Sequence, residues 1–139
     1  MKLSQEELEK MDAWIDQELY LKGIQAGEHF FAAYQTQEKG MSQVRNLQTK
    51  TLQATRFMQI ESFIKNQIGK ENNNQGWLFY QNNAQLGFAI LEDFQAITKK
   101  AEEMATDNYE KKCEIRKQMV KAYVEALVAQ FCYCRKVAV

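Results

Sequence analysis

The side chains best suited to surface chemistry are the cations of one short stretch, MSQVRNLQTKTLQATRFMQIESFIKNQIGK, residues 41–70. It carries Arg45, Lys50, Arg56, Lys65 and Lys70 against a single acid, Glu61, in a chain whose formal net charge is zero. On a continuous helix at about 100° per residue, Arg45, Thr49 and Arg56 fall within about 40° of one another, with Gln59 close by. They project away from a stripe formed by Val44, Leu47, Ala54 and Met58. Two guanidinium groups about three turns apart, with hydroxyl and amide donors between them, suit successive phosphates of a nucleic-acid backbone. Such contacts hold by charge and hydrogen bonding without reading base identity. A solvated helix face has the same composition, so the spacing permits phosphate binding without selecting it.

Charge alternates along the rest of the chain. Residues 1–40 hold four cations and eight acids, residues 41–70 five and one, residues 71–106 two and five, and residues 107–139 seven and four. Two readings stay open. Oppositely charged neighbours in an antiparallel bundle attract, each exposed pair contributing up to about 1 kcal/mol. Alternatively, the second and fourth helices share a basic side that meets phosphates, with Lys112 and Arg116 joining Arg45, Thr49, Lys50 and Arg56.

Other reactive side chains do not assemble into a reaction centre. His29 is the only histidine, whereas metal sites draw on several imidazoles, thiolates or carboxylates at set spacing. Carboxylate-bridged di-metal bundles need Glu-x-x-His motifs on two helices, and this sequence has none, so a structural histidine is expected. Cys132 and Cys134 in CYC point about 200° apart on a helix and make a poor chelate, while Cys113 suits a buried free thiol. Reduced thiols in a cytoplasmic protein are expected. Neither a G-x-x-x-x-G-K-[ST] phosphate loop nor a G-x-S-x-G elbow occurs. The expectation is a protein that is not an enzyme, with no catalytic residue, no metal and no cofactor. Trp14, Trp77 and most of the six tyrosines fall in apolar periodicity and are expected in the core. A stacking role for Tyr34 or Tyr80 stays open.

The elements that must position these residues are helical. The 139 residues contain no proline, where average usage would give about seven, and proline is what breaks helix interiors. Strand-favouring runs of Val, Ile and Thr are missing. Ser4 and Glu7 form a capping-box pair that starts a first helix, which bends or breaks near Gly23 and Gly27 and ends at Gly40. A second helix runs from Ser42 as N-cap to Gly69, either continuous or broken near residues 54–58. GKENNNQG is a polar, turn-rich loop. A third helix, from about Gln75 to Met104, has an apolar face wide enough for the centre of a bundle, with Gly87 allowing a neighbour to approach closely. A fourth helix opens at Asp107 and Glu110 and turns Tyr109, Cys113, Met119, Val120, Tyr123, Leu127 and Phe131 inward. The sequence therefore predicts one all-α domain over residues 1–139, a bundle of four to five helices. The acidic start, MKLSQEELEKMD, lacks the apolar region of a signal peptide, and no apolar run reaches membrane-spanning length.

Two stretches resemble a known family. Ser42, Gln43, Val44, Arg45 and Asn46 match the S/T-x-[I/V/L]-R-N start of a helix in the small helical subunits of type III CRISPR effector complexes. EIRKQMVKAYVEALVAQFCYCRK is similar to the long basic amphipathic helix that ends those subunits. The resemblance covers residues 41–70 and 110–136. It implies a non-catalytic subunit that contacts the backbone of crRNA and target RNA through basic helices. It also implies packing against the backbone and large subunits of the complex and against copies of itself. The competing expectation is a helical protein–protein adaptor or inhibitor, defence- or phage-associated, with no nucleic-acid contact.

Overall fold

The computed structural model describes residues 2–138 and is all-α apart from one two-residue-strand hairpin. α1 (Gln5–Trp14) starts on the expected capping box. The Ser4 hydroxyl accepts from the Glu7 amide at 3.1 Å, and the Glu7 carboxylate accepts from the Ser4 amide at 2.7 Å. A π-helical segment, Ile15–Leu19, leads without interruption into α2 (Tyr20–Tyr34), which Gln35 stops with a φ of 54°. There follow α3 (Glu38–Gln53), α4 (Phe57–Lys70), a 3₁₀ turn at Gly76–Leu78, and an antiparallel hairpin of β1 (Tyr80–Gln81) and β2 (Ala84–Gln85). α5 (Leu86–Met104) and α6 (Tyr109–Ala138) complete the chain. Counting α1, the π segment and α2 as one rod, the described residues form five helices, within the expected four to five.

The first rod and α6 lie side by side and run parallel. Lys111 reaches Glu7, Gln130 reaches Glu28, and Arg135 reaches the Thr36 carbonyl, with sequence separations of 104, 102 and 99. The other elements fill the space around this pair. α3 descends antiparallel to α6, from the Glu38–Arg135 ion pair at 3.4 Å to the Phe57–Arg116 contact where α4 begins. α5 forms a helical hairpin with α6, its Phe94 and Asp93 both meeting Tyr123. α4 lies antiparallel to α5, with Phe57 against Phe94 and Ile68 against Gly87.

Edge-to-face aromatic contacts, which favour ring centroids about 4.5–7 Å apart, bind these layers. Phe30 of α2 packs at 5.1 Å from Trp77 and 5.7 Å from Phe131. The Trp77 indole N–H donates to the Gln43 side-chain oxygen at 2.9 Å, tying the loop before the hairpin to α3. Tyr123, wholly buried, donates its hydroxyl to Asp93 at 2.6 Å, which supplies the partner a buried phenol needs.

Several boundaries differ from those the sequence suggests. The first rod does not bend at its glycines. Its irregularity is the π segment, and Gly23 and Gly27 are buried against α6. Gly40 ends nothing. It lies inside α3 against Tyr34 and Phe131, with Gln37 as the cap residue, so Ser42 is an exposed mid-helix position. The second helix is broken, the second of the two alternatives, at residues 54–56. Gly69 sits in the last turn of α4, and the extended residue after that helix is Glu71. The third helix starts at Leu86, because residues 76–85 turn and pair as a hairpin instead. Asn82 and Asn83 take φ values of 54° and 66° at its tip, as the two-residue turn of a tight hairpin requires. α6 is capped by Asn108 in place of the expected Asp107, the Asn108 side-chain oxygen accepting from the Lys111 amide at 3.0 Å. The central helix is α6, not α5, since it packs on the first rod, α3 and α5 together. The close approach expected at Gly87 is present, made by Ile68 and the Trp77 carbonyl.

The glycines give opposite predictions. A Cβ on Gly27 would lie 2.6 Å from the Leu127 carbonyl oxygen and 2.7 Å from the Gln130 Cβ, and backbone cannot yield as a side-chain tip can. Gly27→Ala is expected to destabilise the fold by about 1–3 kcal/mol, the usual cost of overpacking. Gly69 has no atom within 4 Å of a built Cβ, so Gly69→Ala is expected to be neutral or stabilising by up to about 1 kcal/mol. Urea midpoints of the two variants check both signs.

Candidate nucleic-acid interface

The break between α3 and α4 decides where the cations go. Ala54 leaves the helix with extended backbone (ψ 132°), and Arg56 is extended as well. The Gln59 side-chain oxygen accepts from the Thr55 amide at 2.9 Å and the Arg56 amide at 3.2 Å, closing the first turn of α4. Arg56 therefore stands at an elbow and no longer continues the helical face of Arg45 and Thr49, which corrects the alignment drawn from an unbroken helix. Arg45, Asn46, Thr49 and Lys50 are all exposed or half-buried on α3. Of the family-like residues, Ser42 is also exposed, whereas Gln43 is engaged with Trp77.

At the elbow, Arg56 meets the start of α6. Thr55, Arg56, Phe57 and Met58 form one wall of an open groove, and Tyr109, Cys113, Arg116 and Lys117 form the other, with Glu110 and Glu114 on that same wall. Lys112 stands beside it, its ammonium 5.4 Å from the Tyr109 ring centroid. Arg116 lies across Phe57 with its guanidinium carbon 4.4 Å from the ring centroid, and its Nε is buried without a hydrogen-bond partner. The structure thus brings Arg56, Lys112 and Arg116 together and leaves Arg45, Thr49 and Lys50 as a separate set on α3. Lys117, Phe57 and Tyr109 are groove residues that sequence spacing does not single out. Tyr109, expected in the core, is instead 73% exposed.

Ion pairing separates the two electrostatic readings further. Among the described residues, only Glu7–Lys111 at 2.9 Å and Glu38–Arg135 at 3.4 Å join different helices. The remaining pairs, Lys10–Glu6, Lys65–Glu61 and Lys100–Glu103, lie within single helices. Attraction across the bundle engages Lys111 and Arg135, while Arg45, Lys50, Arg56, Lys112, Arg116 and Lys117 form no ion pair with any described residue.

The other reactive side chains have structural settings. His29 is buried, and its Nε2 lies 2.9 Å from the Phe79 carbonyl oxygen, so that nitrogen carries the hydrogen and donates. Cys113, Cys132 and Cys134 are half-buried thiols. Burial, with the Glu28 carboxylate nearby, raises the Cys134 pKa, against a hydrogen bond from Gln130. Among the described residues no three His, Cys, Asp or Glu side chains converge as a metal site would need, and no described helix is long and apolar enough to cross a membrane. Of the two tyrosines considered for stacking, Tyr34 is buried against Phe30, and Tyr80 is exposed on the hairpin.

Burial lowers the His29 pKa from 6.5, and the Phe79 carbonyl only partly offsets this by favouring the protonated ring. The unfolded chain thus takes up a proton more readily than the folded one, and stability rises with pH. His29's contribution is complete above its unfolded pKa of about 6.5 and is lost as pH falls through its folded value. Asp93, whose pKa burial raises, has the opposite slope, so the comparison must be between variant and parent. His29→Gln is expected to reduce the loss of stability between about pH 7 and pH 5, read from urea midpoints at a series of pH values.

No family model, curated protein or solved structure matches the chain, so the functional reading rests on these residues and their geometry.

Proposed function

We propose that the protein is a non-catalytic small subunit of an RNA-guided ribonucleoprotein, of the type III CRISPR effector class that residues 41–70 and 110–136 resemble. In this reading Arg45, Thr49, Lys50, Arg56, Lys112 and Arg116 contact the nucleic-acid backbone. The observation that carries it is that these cations are exposed or half-buried and enter no ion pair among the described residues. The two cations that pair with a carboxylate of another helix, Lys111 and Arg135, are different ones.

An unpaired guanidinium is weakly hydrated and offers a planar fork of donors that matches phosphate oxygens. Arg116, with Nε buried and no carboxylate bonded to it, is the clearest case. Guide pairing supplies sequence recognition in such assemblies, so the protein needs backbone contacts and subunit contacts alone. The acidic exposed positions of the first rod, Glu6, Glu9, Asp12 and Asp16, then face the backbone and large subunits or copies of the chain itself. The competing reading, an adaptor or inhibitor that never meets nucleic acid, has the same fold and differs only in what the free cations do.

The separating experiment is charge reversal at Arg45 and Arg56. Both are exposed, where substitutions usually change stability by less than about 0.5 kcal/mol. An acid at the head of α4 also suits the helix dipole. The double variant is expected to fold and assemble but to bind target more weakly. Its log–log salt slope should flatten by up to about one unit for each phosphate that the two arginines neutralise in the parent. Unchanged target binding by the assembled variant at every salt concentration would favour the adaptor.

A further inference from the structure

We propose that the groove at the α3–α4 elbow is a stacking site for one unpaired nucleotide, with the base on the open face of Tyr109 and the phosphates on Arg56, Arg116 and Lys117. This deepens the nucleic-acid reading and rests on it. It adds that part of the recognised strand is single-stranded at this point.

The proposal begins with Tyr109. It occupies the first turn of α6 and is 73% exposed, the most exposed large apolar side chain among the described residues. The neighbouring Cys113 thiol raises its pKa, and Arg116 and Arg56 lie close enough to oppose that shift. The ring thus stands among the groove-lining residues, beside both arginines. Lys112 covers one face of the ring, and the high exposure leaves the other face open. Met58, itself 59% exposed on the opposite wall, gives a base stacked there a second apolar surface.

Charge and shape point the same way. The groove encloses about 600 Å³, within the range that holds small ligands. Arg116 presents its guanidinium from a stacked position on Phe57 with one N–H unsatisfied. A half-buried cation with no counter-ion is costly unless an anion joins it. A phosphate is the anion that accompanies a stacking base, and cations tracking the strand with aromatics beneath its bases are how single strands are held. The two carboxylates on the wall, Glu110 and Glu114, do not cancel this, since Arg56, Arg116 and Lys117 line the groove and Lys112 stands beside it. Glu110, exposed beside Tyr109, is an acceptor for base amino groups, which a bare phosphate site would exclude.

The test uses the whole chain and an RNA of about twelve nucleotides, either free or annealed to its complement, followed by fluorescence anisotropy at low salt. Tighter binding of the single strand than of the duplex is expected. Tyr109→Ala should weaken single-strand binding by about fivefold to a hundredfold, the range for removing one base–aromatic stack. The salt slope should stay the same, because every phosphate contact remains. Tyr109→Phe should retain most of the affinity, and Arg56→Gln should flatten the slope by about one unit. Since Tyr109 is exposed, its variants are expected to fold, and circular dichroism verifies that. Equal binding of both forms overturns the stacking site, as does an inert Tyr109→Ala beside an active Arg56→Gln; either leaves backbone contact standing. Absence of single-strand binding by the free chain also overturns it, and the reading as a ribonucleoprotein subunit is then decided by the Arg45 and Arg56 reversal in the assembled complex.

Discussion

Everything in this fold is arranged around one contact, the approach of α2 to α6 at Gly23 and Gly27. Neither position has room for a methyl group. A Cβ on Gly23 would meet the Ala126 Cβ at 2.7 Å and the Tyr123 carbonyl oxygen at 3.0 Å, and one on Gly27 would meet the backbone of Leu127. Each glycine weakens an isolated helix by about 1 kcal/mol relative to alanine. What is gained is backbone-to-backbone packing that larger residues would hold apart. Because the two helices run parallel, no short turn can connect them, and the intervening chain must travel back along the bundle before α6 begins. α3, α4, the hairpin and α5 are that return path, and α3 and α5 pack on further faces of α6.

The elbow follows from this route. α3 runs down α6 from Arg135 towards Arg116, and a straight continuation would leave uncovered the face of α5 that meets Phe57 and Ile68. Breaking at Ala54 turns α4 onto α5, so that Phe57 meets both Phe94 and the Arg116 guanidinium. The same break lifts Arg56 out of the helix and opens the groove towards Tyr109. The feature that completes the core is thus also the one that gathers cations of two distant segments.

Absence of proline and helical apolar spacing are local signals, and they make the helical class legible in the sequence. The N-terminal cap, the possibility of a break near residues 54–58 and the tight fit at Gly87 are legible for the same reason. What the sequence hides depends on partners. Gly23 and Gly27 read as helix weaknesses until α6 is placed against them, and Gly40 reads as a terminator until Tyr34 is seen beside it. The hairpin escapes a reading by apolar period although Asn82-Asn83 carries its signal, since paired asparagines tolerate the positive φ of a tight turn. Tyr109 misleads because its spacing from Cys113 continues the apolar stripe of α6, yet the stripe runs past the end of the core there. Among the candidate site residues, Arg56 and Arg116 come together only through the elbow, which no helical wheel contains.

The parallel pairing of the first rod with α6 has a consequence for how the molecule is made. A chain emerging in order produces the glycine-bearing surface of α2 first and the helix that covers it last, about a hundred residues later. Helical proteins usually fold quickly because their contacts are local, and long-range closure slows them. Here Phe30 gains Trp77 midway through the chain but lacks its Phe131 contact until α6 arrives. During synthesis the nascent chain therefore exposes an apolar trough until α6 emerges, and the helix that closes the core is the one that also forms one wall of the cationic groove.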